Sequence, residues 1–165
     1  MNQKEIDILE ILEQNGRLAI EDLAKMVDLT VKETEEIIEK MENGQIILKY
    51  LTVIDWQKVE ERDPGVTAMI DVKVTPKRDR GFDDIAERIY RFPEVQSVYL
   101  MSGAYDLSVV IEGKTLHDVS RFVSEKLSAL DSVVSTTTHF IMKKYKHDGT
   151  IFGNDEKDRR IVVTP

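Results

Sequence analysis

The order of strand-like and helix-like patterns in residues 67–145 limits the fold more than any other feature of the sequence. AMIDVKV alternates β-branched with other residues and predicts a strand. GFDDIAERIYRF then spaces its apolar side chains as a helix does. VQSVYLMSG and YDLSVVIEG come next as two strands, and after a second helical stretch VVSTTTHFIMKKY is again strand-like. The order βαββαβ predicts a four-stranded antiparallel sheet with both helices on one face, the ferredoxin-like arrangement.

Apolar side chains mark both the helices and the two faces of the predicted strands. The first helix carries Phe82, Ile85, Ile89 and Phe92 on one face, and the second aligns Leu116, Val119, Val123, Leu127 and Leu130. In the strands, Val98 opposes Tyr99 and Val109 opposes Val110. Because two helices cover one face of a sheet only, the other face requires a partner, and self-association is expected.

Three short helical patterns occupy residues 1–45. The second of them takes its helical spacing from Leu23, Met26 and Val27. Only Asp28 and Leu29 separate it from the third. Two helices with so short a connection cross at a steep angle, which is typical of a helix-turn-helix. The turn needs a left-handed residue, and Asp is among the few side chains that tolerate that conformation.

The third helical pattern is acidic, which bears on whether it binds DNA. Its apolar stripe is formed by Thr34, Ile37, Ile38 and Met41. The opposite face centres on Lys32, Glu36 and Glu39. Residues 1–50 carry six Lys/Arg and twelve Asp/Glu, a balance of −6. Few counterions are released when such a surface meets DNA, so one copy is expected to bind weakly and several copies on one oligomer more strongly.

Part of this acidity has a structural explanation. Thr30 and Glu33 have the spacing of a capping box at the helix start. Glu36 and Lys40 stand at i, i+4, the favourable order for an ion pair along a helix. A glutamate on the outward face could still accept a hydrogen bond from cytosine N4 in the major groove, although it would repel phosphates.

Between the two regions, IILKYLTVID (residues 46–55) predicts a strand because it is β-branched and aromatic, and residues 60–65 are typical of a linker. Trp56 is interpreted as a packing residue at the domain junction rather than as a platform for a ligand.

Composition and missing motifs narrow the function. The chain has no cysteine, which excludes disulfides and thiolate chemistry, and its three histidines lack the short spacing of metal ligands. No nucleophile elbow, P-loop or dinucleotide fingerprint is present, so we expect no enzyme, no cofactor and no metal. No apolar run approaches the roughly 18 residues of a membrane span. With an amphipathic pattern at the very N-terminus and a net charge of −8, a cytoplasmic protein is expected.

Five stretches of the sequence together resemble the Lrp/AsnC (feast-or-famine) transcriptional regulators. They are IDILEILEQNGR, IEDLAKMVDLT, MENGQII in place of the family's Leu-Glu-x-x-Gly-x-Ile, SGAYDLSVVIEG, and VVSTTTHFIM with its Thr136-x-Thr138. The resemblance implies a winged helix-turn-helix followed by a βαββαβ domain that senses amino acids. It also implies dimers that assemble into octamers, with small effectors bound where dimers meet.

The sequence departs from the family pattern in both helix-turn-helix turns and in the third helix. Asp28 and Gln45 replace usual glycines, and we expect Gly44 to supply the flexible position one residue early. Glu36, Ile37 and Glu39 stand in the middle of the third helix, where the family generally has arginines.

We therefore predict an α+β protein with four segments. They are a helix-turn-helix domain over residues 1–50, a strand and linker over 51–66, a ligand-sensing and dimerisation domain over 67–146, and a C-terminal extension over 147–165. The predicted function is sequence-specific binding of double-stranded DNA by a homo-oligomer that responds to a small effector, an amino acid. The alternative is a metabolite-sensing oligomeric module that does not bind DNA directly.

Two sets of residues are predicted to carry this function. The predicted DNA contacts are Lys25, Thr30, Lys32, Glu36 and Lys40. The predicted effector contacts are Met101, Gly103, Ala104, Tyr105, Asp106, Thr136 and Thr138. Asp106 either pairs with a ligand's ammonium group or satisfies backbone donors in the turn, and the sequence leaves both open. The run Ser135–Thr138 is likewise either part of the site or a polar sheet edge.

Overall fold

The structure, a computed structural model, describes residues 1–76 and 81–153. The chain divides into two compact units, Met1–Ile54 and a second that begins at Asp55. The first unit contains the three predicted helices: α1 (Gln3–Gln14), α2 (Ile20–Met26) and α3 (Val31–Asn43). Ile8, Leu23 and Val27 form its buried centre, against which Ile37 and Ile38 of α3 pack.

The tight turn between α2 and α3 has the predicted left-handed residue, since Asp28 has φ of 53°. Met26 shares the helical spacing of Leu23 and Val27 but does not face the core, because its side chain is 62% exposed and Ala24 is buried instead. The buried line of α2 runs through Leu23, Ala24 and Val27, and Met26 lies roughly 100° around the helix from its centre.

The end of α3 corrects the expectation about Gly44. Gln45 itself is left-handed with φ of 55°, whereas Gly44 has φ of −78°. The amide of Ile46 donates to the carbonyl of Met41, and the amide of Gln45 donates to that of Glu42. These two bonds are the Schellman motif, which places the left-handed residue at position 45 whatever its side chain.

The strand predicted over residues 46–55 is wrong. No residue of this segment pairs in a ladder with any part of the chain that the structure describes, and Leu48 is 77% exposed. The amides of Ile46 and Ile47 donate to the carbonyl of Met41, and the Tyr50 hydroxyl donates to the Glu42 carboxylate at 2.9 Å, so these bonds join the segment to the end of α3 rather than to a strand. β-branched composition favours a strand but does not provide a partner for its backbone.

In the second unit, a short 3₁₀ turn at Trp56–Lys58 precedes the sheet, and the Arg62 guanidinium lies 3.8 Å from the centre of the Trp56 ring. The strands and helices after this turn are β1 (Val66–Val74), α4 (Gly81–Tyr90), β2 (Val95–Leu100), β3 (Leu107–Gly113), α5 (Leu116–Phe122) and β4 (Val133–Phe140). The strand order is β2-β3-β1-β4 and each neighbouring pair is antiparallel, which confirms the ferredoxin-like prediction.

Alternation along β1 separates the two faces of the sheet. The residues Ala68, Ile70, Val72 and Val74 are buried. Ile85 and Ile89 of α4 and Val119 and Phe122 of α5 belong to the same buried cluster, so both helices lie on one face. The opposite face carries Met69, which is paired in register with Val110 and His139, and the half-exposed Tyr99.

The second helix of the sheet domain has its predicted apolar face except at Leu116, since Val119, Val123, Leu127 and Leu130 all belong to the buried core or pack against it. The prediction that Leu116 lies on the apolar face is wrong, since its side chain is 56% exposed, while Phe122 is buried. Residues Val123–Leu127 form a π-helical turn, which contains more residues than an α-helical turn and so rotates the side chains after it. Leu127 is buried as predicted, but it joins a face that begins at Val119 rather than at Leu116.

The last strand ends at Phe140, earlier than the sequence predicts, and its pairing with β1 ends where the amide of Ile141 donates to the carbonyl of Thr67. A small hairpin comes next, with β5 (Lys146–His147) and β6 (Thr150–Ile151). The rest of the predicted C-terminal extension, residues 154–165, lies outside the described residues. Among the helices that the structure describes, none has the length and apolar character needed to cross a membrane.

Candidate functional site

The N-terminus of α3 is closed by the predicted capping box. The Thr30 hydroxyl accepts from the amide of Glu33, and the Glu33 carboxylate accepts from the amide of Thr30 at 2.9 Å. The hydrogen bond from the Thr30 hydroxyl, reinforced by that from its amide, holds the pKa of Glu33 below its usual value. Glu33 is therefore occupied at the helix end, and the Thr30 side chain takes part in the same cap.

Two of the predicted DNA contacts pair with each other on the outward face of α3. The Lys32 ammonium lies 3.9 Å from the Glu36 carboxylate, and both side chains are mostly exposed. Lys25 on α2 lies 3.0 Å from Asp22. Exposed pairs of this kind contribute little to stability and exchange readily with other partners. Lys25, Lys32 and Glu36 are thus held by contacts that another ligand can replace.

Lys40 has a different environment. Its ammonium lies 2.9 Å from the carboxylate of Glu5 on α1, so the predicted ion pair with Glu36 is wrong. Glu5 is buried, and it also accepts from the amide of Asn2. The hydrogen bond from Lys40, followed by that from Asn2, holds the pKa of Glu5 below its usual value. Lys40 therefore bonds α3 to α1, which competes with any role at DNA.

Three other cations of the first unit lie outside the set predicted from the sequence. The Lys4 ammonium donates to the carbonyl of Asp28 at 2.5 Å. This bond gives a partner to the carbonyl of the left-handed residue between α2 and α3. Arg17 and Lys49 form no ion pair with any residue that the structure describes. Neither residue lies in the helix-turn-helix pattern. The structure identifies them as candidate DNA contacts because their charges are unpaired within the described chain, which the sequence does not show.

The predicted effector turn joins β2 to β3 and is fixed at its base. The amide of Met101 donates to the carbonyl of Asp106 at 2.8 Å, and the amide of Asp106 donates to that of Val72. One carboxylate oxygen of Asp106 accepts from the amide of Val74 at 2.8 Å. The register between β1 and β4 shifts between Lys73 and Val74, so Asp106 satisfies a donor at an irregularity of the sheet.

The tip of this turn leaves backbone donors available. Within the described parts of the chain, the amides of Ser102, Gly103, Ala104 and Tyr105 have no hydrogen-bond acceptor. Nothing lies within 4 Å of the position that a Cβ on Gly103 would take, so the tip is open. Successive free amides in a turn form a concavity suited to an anion.

The predicted threonines lie on the other face from the turn's aromatic side chain. Thr136 and Thr138 are in register with the buried Val72 and Ile70, which puts both on the helix face as half-buried side chains. The hydroxyl of Tyr105 lies 3.0 Å from that of Thr137 instead. Of the predicted effector residues, Tyr105 and Asp106 therefore lie at the turn between β2 and β3. Thr136 and Thr138 lie on the other face of the sheet, toward the helices.

Comparison with known families covers both units. Residues 67–151 match the Lrp/AsnC ligand-binding domain, and residues 1–47 match a winged helix-turn-helix DNA-binding domain. The HTH-type transcriptional regulator YugG of Bacillus subtilis is 62% identical over 165 residues, covering 100% of this chain and 99% of that protein. The proline dehydrogenase transcriptional activator of Rhizobium radiobacter is 26% identical over 147 residues, covering 88% and 91%.

Solved structures share the same fold. The complex of transcriptional regulator NMB0573 with L-Met from Neisseria meningitidis is 25% identical with a TM-score of 0.70, covering 89% of this chain and 93% of that one. AsnC of Escherichia coli is 19% identical with a TM-score of 0.67, covering 89% and 95%.

The bond between Lys40 and Glu5 predicts how acid affects the stability of the first unit. Folding lowers the pKa of the Glu5 carboxyl from its unfolded value of 4.5. Such a carboxyl stabilises the folded state at any pH above the unfolded pKa. This stabilisation is lost as the pH falls through the lower pKa of the folded state. We expect Glu5→Gln to be less stable than the unmodified chain at pH 7 and the difference to shrink below pH 4.5. Urea unfolding at several pH values measures it.

The matched control is Glu39→Gln, which removes the same charge from an exposed position on α3. It should leave the pH dependence of unfolding unchanged. A stability loss in Glu5→Gln that stays constant from neutral to acid pH would contradict the structural role assigned to Lys40.

Proposed function

The chain belongs to the Lrp/AsnC family of HTH-type transcriptional regulators, and from that premise we propose that it binds specific operator DNA as a homo-oligomer controlled by an amino acid. The family consists of transcriptional regulators rather than enzymes. The observation that carries the proposal is the presence of both matched domains in one chain, a DNA-binding unit followed by a ligand-binding unit. We place this regulator in the cytoplasm.

The outward face of α3 is the proposed DNA-reading surface. Lys32 and Glu36 are exposed and, among the residues that the structure describes, bonded only to each other, at the long distance of 3.9 Å. In the major groove, Lys32 donates to a phosphate or a base edge, and Glu36 accepts from cytosine N4. Thr30 and Lys25 lie near the phosphates, and Arg17 and Lys49 add free cations to the same unit. Lys40 contributes least, because Glu5 holds it.

Electrostatics then require more than one copy. With six cations against twelve acids in residues 1–50, and three of the cations paired, each first unit neutralises few phosphates. Linking several such units raises the effective concentration of the second and later ones, so avidity supplies the missing affinity. Association is thereby a condition of function.

The sheet face that carries no helix is the proposed surface of association. Met69, Val110 and Tyr99 give it an apolar centre, and Tyr99 is 55% exposed in the isolated chain. A second copy packed on the same face would form an isologous dimer. We further propose that dimers join into octamers, as in the family's larger assemblies.

The proposed effector site is the turn between β2 and β3. Its free amides suit a carboxylate, and the second oxygen of Asp106 accepts no hydrogen bond from a described residue. A ligand with both a carboxylate and an ammonium group, an amino acid, matches this pair of features. The complex of NMB0573 with L-Met, a structure of the same fold, agrees with that class of ligand.

Two substitutions on α3 test the DNA proposal. Lys32→Ala should weaken operator binding by about 1 kcal/mol or more per copy, because a phosphate or base contact is lost. Glu36→Gln should strengthen non-specific binding and change sequence preference. Both are measured by fluorescence anisotropy at fixed salt on the gene's own upstream region.

Glu10→Gln on α1 is the control, since it removes one exposed charge away from α3. It should leave sequence preference unchanged. If neither α3 variant changes DNA binding, the helix does not read DNA, and the acidic unit binds a protein partner instead.

Asp106→Asn tests the effector site. The variant can still accept from the amide of Val74, so the melting temperature without ligand should barely move. The rise in melting temperature caused by the best of twenty amino acids should be largely lost, because a charge-assisted bond of about 1.5–3 kcal/mol is removed.

Asp131→Asn, at an exposed position before β4, is the matched control and should keep the ligand response. An Asp106→Asn protein that melts earlier without ligand but binds the amino acid as tightly as before would reduce Asp106 to a structural residue.

A further inference from the structure

The second unit contains a cavity of about 880 Å³ that is separate from the effector turn. It lies between three parts of the chain: residues 62–65, the end of β3 with the following Lys114, and α5. None of the residues of the turn between β2 and β3 lines it. Its volume is within the range of pockets that hold small organic molecules.

One wall of this cavity depends on a close approach between two of its lining glycines. Gly65 has φ of 70°, and a Cβ added to it would lie 2.7 Å from the carbonyl oxygen of Gly113. Only glycine permits this backbone conformation and this approach without strain. The contact holds the 62–65 segment against the end of β3, so the wall of the cavity is built into the backbone.

Part of the cavity lining is apolar. Ile111 of β3 and Val119 and Phe122 of α5 line it, and each is almost completely buried. Phe92 packs edge-on against Phe122 with ring centres 5.6 Å apart, which holds the aromatic side chain in place. A rigid apolar floor of this kind suits an alkyl group.

Glu94 adds to the cavity lining a carboxylate with one oxygen that lacks a hydrogen bond. One of its carboxylate oxygens, Oε1, lies 2.5 Å from the Lys126 ammonium, and this bond holds the pKa of Glu94 below its usual value. The other oxygen, Oε2, is buried and has no hydrogen-bond partner among the residues that the structure describes. Leaving a charged oxygen buried and unpaired costs free energy, which a donor supplied by a ligand would remove.

We propose that this cavity binds a small molecule with a primary ammonium group and an alkyl chain, the ammonium donating to Oε2 of Glu94. The alkyl chain lies on Ile111, Val119 and Phe122, and the Glu94 side chain, one-third exposed, turns Oε2 toward the ligand. This site goes beyond the proposed effector turn and does not depend on DNA binding.

Three probes that share one alkyl skeleton separate the ligand classes: isoamylamine, 4-methylpentanoate and L-leucine. Calorimetric titration of the full chain at pH 7 should give saturable binding of isoamylamine and none of 4-methylpentanoate. L-leucine distinguishes an amine site from one that also accepts an amino acid. Absence of isoamylamine binding at about 10 mM would overturn the proposal, since a specific site binds more tightly than that.

Glu94→Gln should weaken isoamylamine binding at least about tenfold, because a charge-assisted bond becomes a neutral one. Glu125→Gln, which removes the same charge at the cavity rim, and Asp106→Asn, at the effector turn, should leave that binding unchanged. Unaltered binding in Glu94→Gln would overturn the proposal.

Hydrogen exchange of the unmodified chain gives an answer even if Glu94→Gln fails to fold. Isoamylamine should slow exchange in peptides that span residues 111–122. Protection confined to residues 101–107 would assign the ligand to the effector turn and overturn the second site. Because this readout involves neither DNA nor Asp106, failure of the proposed regulatory function leaves it interpretable.

Discussion

One sheet covered on one face only is the constraint on which the rest of the molecule depends. Both helices of the second unit pack on the buried residues of β1, and the opposite face presents Met69 and Tyr99. Burial of a second copy there removes apolar surface from water, at roughly 25 cal/mol per Å² of apolar area. Association is therefore the expected consequence of the fold, and with it comes the presence of several DNA-binding units in one particle.

That consequence resolves the electrostatic problem of the first unit. Its cations are mostly engaged within the unit, with Lys25, Lys32 and Lys40 each bonded to an acid and Lys4 bonded to a carbonyl. A monomer of this kind repels more of the phosphate backbone than it attracts. In an assembly, the first unit that binds DNA holds the other units close to it. Each additional unit then binds as if at high local concentration, which raises the overall affinity without additional positive charge.

The sequence predicted the features that depend on periodicity and local chemistry. The βαββαβ order, the alternation in β1, the capping box at Thr30 and the left-handed Asp28 are all set by nearby residues. The features that it could not predict depend on distant partners. Lys40 bonds Glu5, 35 positions away along the chain, and Asp106 bonds an amide that only the shift in register between β1 and β4 exposes.

Two other errors have the same origin. Residues 46–55 have strand composition, but a strand exists only where another backbone pairs with it. The prediction for the face of α5 is wrong at Leu116, the first residue of the helix, where the helical period alone does not show that its side chain is 56% exposed. The cavity beside Glu94 was also beyond sequence reasoning, because the contact between Gly65 and Gly113 joins positions that no local pattern connects.

The most direct test of this account compares assembly and DNA binding in one variant. Met69→Glu places a charge in the uncovered sheet face, and Tyr90→Glu places the same charge at an exposed position of α4 as a control. Light scattering and operator titration should show that Met69→Glu dissociates and loses operator affinity at least about a hundredfold, while Tyr90→Glu does neither. Operator binding of unchanged strength by a monomeric Met69→Glu protein, or a monomeric unmodified chain at micromolar concentration, would contradict it.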